Sequence, residues 1–190
     1  MSAGALASTE PIGDAFSHEA LLYAGLDEFV TLTAAFLQEG VASGEPALVV
    51  VDAGKIELLR EALGTEVAGV CFADMAEVGA NPARIIPAWR DFVNEHATSG
   101  RGFRGIGEPV WAERSADELT ECQRHEALLN VAFSGGPAWR LVCPYDTETL
   151  DAAVVEEAER SHRFVATADA FRASGRYGVD DGLAVFGGEL

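Results

Sequence analysis

The sequence predicts a single α/β domain with a mainly parallel five-stranded sheet and helices on both faces. Two observations indicate this fold class. Short apolar runs typical of buried strands alternate with longer segments whose apolar residues recur at helical spacing. Parallel neighbours also require long crossover connections, which are usually helices that cover the sheet. The chain has 190 residues, 48% of them hydrophobic, which is enough for one sizeable core.

Five segments have the composition of buried strands. Each is a run of apolar, often β-branched residues that ends in polar or turn-forming residues. In chain order they are ALLY (20–23), ALVVVD (47–52), VCFADM (70–75), FRGIGEP (103–109) and AWRLVCPYD (138–146). We expect these strands to form the sheet, with their carboxyl ends along one edge.

The segments between the strands carry helix signals. The predicted helix starts are Asp27, Asn81-Pro82 and a capping box made by Ser115 and Glu118. Gly44 is expected to end the first helix, and the helix after Ser115 should run to about Phe133. A last helix is indicated by Leu150, Val154 and Val155.

The ends of the chain differ in composition from its middle. Residues 1–15 are small, polar and glycine-bearing, which predicts a flexible leader. The domain is expected to span 16–163, and the glycine-rich segment 164–190 to be a tail or a linker. Neither a signal peptide nor an apolar run of membrane-spanning length is found, and Cys71, Cys122 and Cys143 have no short paired spacing. We therefore expect a cytoplasmic protein with reduced thiols.

The strongly acidic composition argues against several classes of partner. The net charge of -18 comes from 31 acidic and 13 basic residues, and Lys55 is the sole lysine. A surface this negative repels phosphate backbones and anionic lipids, so we expect no binding to nucleic acid or membranes. Solubility alone is the simpler explanation of the acidity.

The segment VVVDAGKI lies where a nucleotide-binding phosphate loop would be expected, because it follows a strand, precedes a helix and contains Gly54-Lys55. A phosphate loop would need glycine where Val49 stands and Ser or Thr where Ile56 stands. The backbone here could not wrap a triphosphate, and no hydroxyl is in place for magnesium. The sequence therefore predicts a sheet without a functional phosphate loop.

Polar residues that follow the predicted strands are the first candidates for a ligand site. They are Asp52, Asp74, Glu108, Tyr145 and Asp146. Ligands of open parallel sheets bind outside the carboxyl ends of the strands. Trp111 would add an aromatic wall to such a crevice. For the three aspartates, capping of the following helix is the alternative role.

The helix in DELTECQRHEALLNVAF provides a second group of candidates. Helical spacing places Glu126 on the apolar face, where a carboxylate needs a partner. We expect Glu126 and His125 to contact the polar end of a ligand, with Asn130 one turn further on. The alternative is a structural salt bridge from Glu126 to Arg104 or Arg140.

A metal site is another interpretation of this helix. Cys122 and His125 are three residues apart and face the same way, and Cys143, His18 and His162 are further candidate ligands. No paired Cys or His motif is present, so packed helix residues are the simpler explanation, and we expect neither a metal nor a cofactor. The alternative function would be a metal-binding protein or a metal-assisted hydrolase using Cys122, His125 and Cys143.

Six segments together resemble the MEDS domain family of bacterial sensory domains. They are FSHEALLY, FLQEGVASGEPALVVV, NPARIIPAWRDFV, GIGEPVW, ECQRHEALLN and LVCPYD. The resemblance runs from about Phe16 to His162, which is most of the chain. The matching positions are His18, Glu108, Trp111, Glu126, Asn130, Cys143, Tyr145, Asp146 and His162.

The resemblance implies a RecA-like sheet and a role in sensing simple hydrocarbon derivatives for signal transduction and transcription regulation. We therefore expect a sensory domain that binds a small organic ligand, and not an enzyme. The expected ligand-binding residues are His18, Glu108, Trp111, His125, Glu126, Asn130, Cys143, Tyr145 and Asp146.

The resemblance also bears on the partner. Such domains precede kinase-type ATPase domains in anti-sigma-like regulators, and this sequence carries no such module. Either the signal passes to a partner of anti-sigma or kinase type, which is the expectation here, or the chain is a fragment of a longer regulator; the resemblance also allows a homodimer. A module that only sequesters a regulator, without binding a ligand, is the remaining alternative.

Overall fold

The computed structural model describes residues 15–98 and 100–178, and within them it contains one mostly parallel sheet. The seven strands lie in the order β3-β2-β4-β5-β1-β6-β7. Neighbouring strands are parallel except for β6 and β7, which are antiparallel. The strands are β1 (Ser17–Tyr23), β2 (Ala47–Val51), β3 (Val70–Asp74), β4 (Arg104–Gly107), β5 (Arg140–Asp146), β6 (Phe164–Ala166) and β7 (Phe171–Ala173).

Helices cover both faces of this sheet, as the alternating pattern predicted. They are α1 (Gly25–Ala42), α2 (Ala53–Leu63), α3 (Met75–Val78), α4 (Ile85–His96), α5 (Ala116–Ala132) and α6 (Ala152–Ser161). The apolar sides of α1 and α2 pack with one face of the strands, and those of α4, α5 and α6 pack with the other. Successive strand residues point to opposite faces, so Ala20 and Leu21 belong to different cores.

The α/β class is confirmed, but the sheet has seven strands where five were predicted. All five predicted strands are present within a few residues of their expected bounds. The additional strands, β6 and β7, lie in the segment 164–190 that was predicted to be a tail or a linker. Each has three residues, which is too short to show a strand period in the sequence. The predicted leader, apart from residue 15, lies outside the described residues, as do residues 179–190.

The helix boundaries follow some of the predicted signals. The capping box of Ser115 and Glu118 is present, and Gly44 follows the end of α1 with a φ of +69°. The predicted cap at Asp27 is wrong, because α1 already begins at Gly25 and the Ala24 amide donates to Glu28 instead. Asn81 caps a short 3-10 turn that precedes α4 and not the α-helix itself.

Two buried arginines form ion pairs on the face of the sheet that α1 covers, one between two strands and one between a strand and α1. Arg140 on β5 donates to both carboxylate oxygens of Glu19 on β1, over 2.9 and 2.7 Å. Arg104 on β4 contacts Glu39, Glu45 and the Phe36 carbonyl. Because an unpaired charge at this depth is costly, these contacts fix α1 and the strands relative to one another.

On the opposite face, the Trp89 ring of α4 lies directly against the backbone of β4. A Cβ atom on Gly105 would lie 2.7 Å from Trp89 and 3.0 Å from Leu141, and one on Gly107 would lie 2.8 Å from Trp89. Trp89 is 1% exposed and cannot move outward without opening the core. The two glycines therefore set the distance between α4 and the sheet.

No helix of residues 15–98 or 100–178 has the length and apolar character required to cross a membrane.

Gly105→Ala should lower the free energy of unfolding by about 1–3 kcal/mol, because the added methyl group overpacks the Trp89 contact. Urea denaturation monitored by tryptophan fluorescence measures this change. The matched control is Gly175→Ala, since a Cβ at Gly175 would have no atom within 4 Å. Equal stability of the two variants would contradict the packing role of Gly105.

Candidate functional site

A crevice of about 390 Å³ lies at the carboxyl ends of the central strands. Four strand ends contribute polar residues to its lining: Tyr23 closes β1, Asp52 follows β2, Glu108 follows β4, and Asp146 closes β5. Glu108 is held there because its amide donates to the Val50 carbonyl and so extends the pairing of β4 with β2. The ends of neighbouring parallel strands meet at one edge, which is where open sheets bind ligands.

The half-buried Lys55 and the buried Glu108 form an ion pair in this crevice. Lys55, in the first turn of α2, places its Nζ atom 2.7 and 2.6 Å from the two Glu108 oxygens. The Tyr23 hydroxyl donates to Glu108 over 2.7 Å and accepts from Lys55 over 2.9 Å. Burial raises the pKa of Glu108, and the contacts with Lys55 and Tyr23 oppose that rise. Burial, together with the Glu108 charge, also raises the pKa of Tyr23.

The loop from β4 to α5 forms an apolar wall of the crevice. Val110 and the half-buried Trp111 line it, together with Met75. The Arg114 guanidinium lies 3.7 Å from the centre of the Trp111 ring and donates to the Pro109 carbonyl over 2.6 Å. These contacts hold the two ends of the loop together just before α5 begins.

Asp52 and Asp74 cap the helices that follow them, as the alternative predicted, whereas Asp146 does not cap α6 and accepts from a turn and from the start of α1. Asp52 accepts from the Lys55 amide over 3.1 Å, and Asp74 accepts from the Ala76 amide over 2.8 Å. Asp146 accepts from the Glu148 amide over 3.0 Å and from Gly25 over 3.4 Å. Amides that a phosphate would need at these turns are therefore already bonded to the protein's own carboxylates.

A second group of polar residues is fully buried between β1 and β5 and the helices α5 and α6, on the face of the sheet that α4, α5 and α6 cover. It consists of His18 on β1, Glu126 on α5, Cys143 on β5 and His162 just after α6, and we call it the buried cluster. One ligating atom from each residue lies within 4.8 Å of all the others. Glu126 Oε2 is 3.1 Å from Nε2 of His18 and 3.1 Å from Nε2 of His162, and His18 Nε2 is 3.3 Å from Cys143 Sγ.

The orientation of the His18 and His162 rings is fixed by hydrogen-bond partners of their Nδ1 atoms, on the side away from the cluster. His162 Nδ1 lies 2.8 Å from the Ala158 carbonyl, and His18 Nδ1 lies 3.3 Å from Oδ1 of Asn130. The Asn130 amide nitrogen donates to the Ser161 carbonyl over 2.7 Å, which leaves its oxygen facing His18.

The buried cluster has an electrostatic environment unlike that of the surface. Burial lowers the pKa of His18 to about 4, and the neighbouring His162 adds to this effect. Burial opposes ionisation of Glu126, but the contacts with His162 and His18 outweigh it and leave the pKa of Glu126 below its usual range. Burial raises the pKa of the Cys143 thiol.

The structure divides the predicted site residues between two places. Glu108, Trp111 and Asp146 line the crevice. Three others, His18, Glu126 and Cys143, form the buried cluster with His162, and Asn130 supports it. Tyr145 does not line the crevice; its ring is buried edge-on to His162, with 5.6 Å between the ring centres. His125 is also buried, and its Nε2 atom has no hydrogen-bond partner within the described residues.

Two alternatives from the sequence are wrong. Glu126 does not pair with Arg104 or Arg140, because these arginines lie on the opposite face of the sheet and bind other glutamates. Cys122 and His125 are not gathered around Cys143 in a metal-ligating group of the described residues. The Cys122 thiol donates instead to the Pro109 carbonyl over 3.2 Å.

Sequence reasoning missed Lys55 and Tyr23 as crevice residues. Lys55 was considered only as part of a phosphate loop and was set aside when that motif failed. Lys55 could have been identified because it is the sole lysine of the chain and lies about one helical turn after the end of a predicted strand. Tyr23 is the last residue of its strand, so the same strand-end rule applied to Glu108 would have selected it.

Comparison with known protein families identifies the family of this chain. The family model described as "MEDS: MEthanogen/methylotroph, DcmR Sensory domain" matches residues 17–163. No curated protein matches the sequence.

Lys55→Met should destabilise the fold by on the order of 3 kcal/mol at neutral pH, because it leaves the Glu108 carboxylate buried without its cation. Burial raises the pKa of Glu108 in the folded protein, so Glu108 of the variant takes up a proton as the pH falls. The loss of folding free energy caused by Lys55→Met should therefore become smaller towards pH 5. Urea denaturation at pH 7.5 and pH 5 measures both effects.

Arg60→Met is the matched control, since Arg60 lies on the same helix in an exposed pair with Glu57 and should change stability little. Restoring stability by adding Glu108→Gln to Lys55→Met would support the pairing. An equal loss at both pH values would contradict it.

Proposed function

Because this chain belongs to the MEDS family of sensory domains, we propose that it binds a small, hydrocarbon-derived organic ligand in the crevice and signals the ligand's presence to a partner protein. The observation that carries the proposal is the Lys55–Glu108 ion pair in the lining of a partly apolar cavity. A cavity of this size, with a few converging polar groups, is typical of small-molecule sites. On this proposal the protein is a cytoplasmic sensor and not an enzyme.

The charges around the crevice favour an uncharged or cationic ligand. Four carboxylates, from Asp52, Glu108, Glu113 and Asp146, line it with Lys55. The ammonium group of Lys55 is already bonded to Glu108, so an anion would meet mainly like charge. The hydroxyl of a short alcohol could accept from Lys55 and donate to Glu108, while its carbon chain packs on Trp111.

The loop that contains Trp111 offers a route for the signal. It connects Glu108 directly to α5, and Arg114 joins the Trp111 ring to the base of the loop. A ligand that binds one position of this loop better than another would shift the position of α5. We infer that the partner, a signalling protein of anti-sigma or kinase type, detects this shift.

We also propose that the sheet is RecA-like, as the family resemblance implies. The parallel order β3-β2-β4-β5-β1-β6, with helices on both faces, supports this arrangement. The failed glycine pattern after β2 and the bonded amides at the strand ends support a RecA-like sheet that does not bind nucleotides.

Native mass spectrometry of the purified protein, before and after denaturation, tests the proposal without assuming a ligand. A released organic mass is the expected result. In parallel, thermal denaturation with a panel of C1–C4 alcohols, diols and primary amines should show stabilisation, whereas the matching carboxylic acids should give none. Equal effects of alcohols and acids, or no effect of any compound together with no released mass, would contradict a crevice of this chemistry.

Glu108→Gln and Trp111→Ala should each weaken binding of the best stabilising compound by about tenfold or more, because they remove a charged hydrogen-bond partner and an apolar wall. Isothermal titration calorimetry measures the change. Glu57→Gln, an exposed carboxylate on α2, is the control and should leave the affinity unaltered. Unchanged affinity in both crevice variants would place the ligand elsewhere.

A further inference from the structure

We propose that His18, Glu126, Cys143 and His162 together bind one divalent transition-metal ion, with Zn²⁺ the best match. This inference goes beyond the sensory proposal, because the buried cluster does not line the crevice and neither site requires the other. It keeps Cys143, His18 and His162 from the candidate ligands that the sequence suggested, and it has Glu126 in place of Cys122 and His125.

The spacing of the four side chains matches a coordination sphere. Ligand atoms around a tetrahedral Zn²⁺ lie about 3.3–3.6 Å apart, given metal–ligand distances of about 2.0–2.3 Å. In the buried cluster, Glu126 Oε2 is 3.1 Å from each histidine Nε2, and His18 Nε2 is 3.3 Å from Cys143 Sγ. All four ligating atoms lie within 4.8 Å of one another, so small side-chain adjustments bring them to a common ion.

Hydrogen bonding within the cluster is incomplete without a cation. Neither carboxylate oxygen of Glu126 nor Nε2 of His162 has a hydrogen-bond partner among residues 15–98 and 100–178. These groups are 3.1 Å apart, but they are poorly aligned for a hydrogen bond. Orphaned polar atoms at complete burial are rare in proteins and need an explanation, such as a bound ion.

The surrounding residues prepare both histidines to bind a metal through Nε2. The Ala158 carbonyl can only accept a hydrogen bond, so His162 carries its proton on Nδ1. Asn130 presents its oxygen to His18 Nδ1, because its amide nitrogen is used by the Ser161 carbonyl. With the proton on Nδ1 of each ring, the Nε2 lone pair faces the cluster. Backbone or side-chain oxygens behind the ring are the usual support of metal-binding histidines.

The charges also balance. Two neutral imidazoles, one carboxylate and one thiolate around a divalent cation form a neutral unit, which suits a site where the four residues are at most 3% exposed. Binding releases one proton, from the Cys143 thiol. Nitrogen and sulfur ligands favour Zn²⁺ or Co²⁺ over Mg²⁺ and Ca²⁺.

Four protein ligands and complete burial leave no open coordination position, which indicates a structural ion and not a hydrolytic one. The ligands come from β1, β5, α5 and the residue after α6, so the ion would join α5 and α6 to the centre of the sheet.

Elemental analysis of tag-free protein, purified with a thiol reductant and without chelators, should find close to one zinc per chain. Chelation should lower the midpoint of thermal unfolding, and Zn²⁺ should restore it. Replacement by Co²⁺ should give a sulfur-to-cobalt charge-transfer band together with the intense visible bands of a tetrahedral site. Folded wild-type protein that neither contains nor takes up Zn²⁺ or Co²⁺ would overturn the proposal.

Variants assign the ion to these ligands. Cys143→Ser should abolish the charge-transfer band, while Cys71→Ser, which alters an exposed free thiol, should leave it unchanged. Asn130→Ala keeps all four ligands and should weaken cobalt binding by about 10–100-fold, because it releases the His18 ring. A band that survives Cys143→Ser or disappears in Cys71→Ser would overturn the assignment.

Failure of the metal proposal would not affect the crevice. The thermal response to short alcohols is measured on the same protein before and after chelation, so the two results are read separately. No metal together with a positive alcohol response would leave only the sensory proposal, and a metal without any ligand response would leave only the metal site.

Discussion

The main constraint on this structure is that ionisable groups lie inside a sheet covered on both faces, where they must be compensated by other protein groups or bound ions. Arg140 with Glu19 and Arg104 with its glutamates secure one face, and Lys55 with Glu108 secures the edge. An isolated buried charge would cost a large share of the few kcal/mol by which a domain is stable. Each pair therefore fixes two elements at once, and the crevice and the buried cluster follow from those positions.

Much of this arrangement could be predicted from local patterns. The five predicted strands are short, mostly apolar runs, and β1, β2, β4 and β5 are buried along most of their length, which makes them easy to recognise. The strand-end rule selected Glu108 and Asp146, which line one crevice, because the carboxyl ends of neighbouring parallel strands lie at the same edge. It also selected Tyr145 and Asp74, which do not line it. The capping box before α5 could also be predicted, because it depends only on two residues that are three positions apart in the chain.

What could not be predicted depends on strand order and register. Helical spacing indicates that Glu126 faces the core, but not which residues lie opposite. Those are determined by β1 pairing with β5, which puts His18 and Cys143 on one face near the end of α6. The strands β6 and β7 are too short to carry a period. Strand order also determines which candidate residues line the crevice and which form the buried cluster. No local sequence motif carries that information.

The position of Lys55 also has a practical consequence. It is the sole lysine of the chain, and its side chain, only 13% exposed, reaches solvent through the crevice. Acylating reagents that modify amines can therefore react with one side chain in the whole sequence, besides the α-amino group. The rate of that single modification depends on whether the Lys55 amine is accessible and released from Glu108, so covalent labelling of the purified protein gives a footprint of the site.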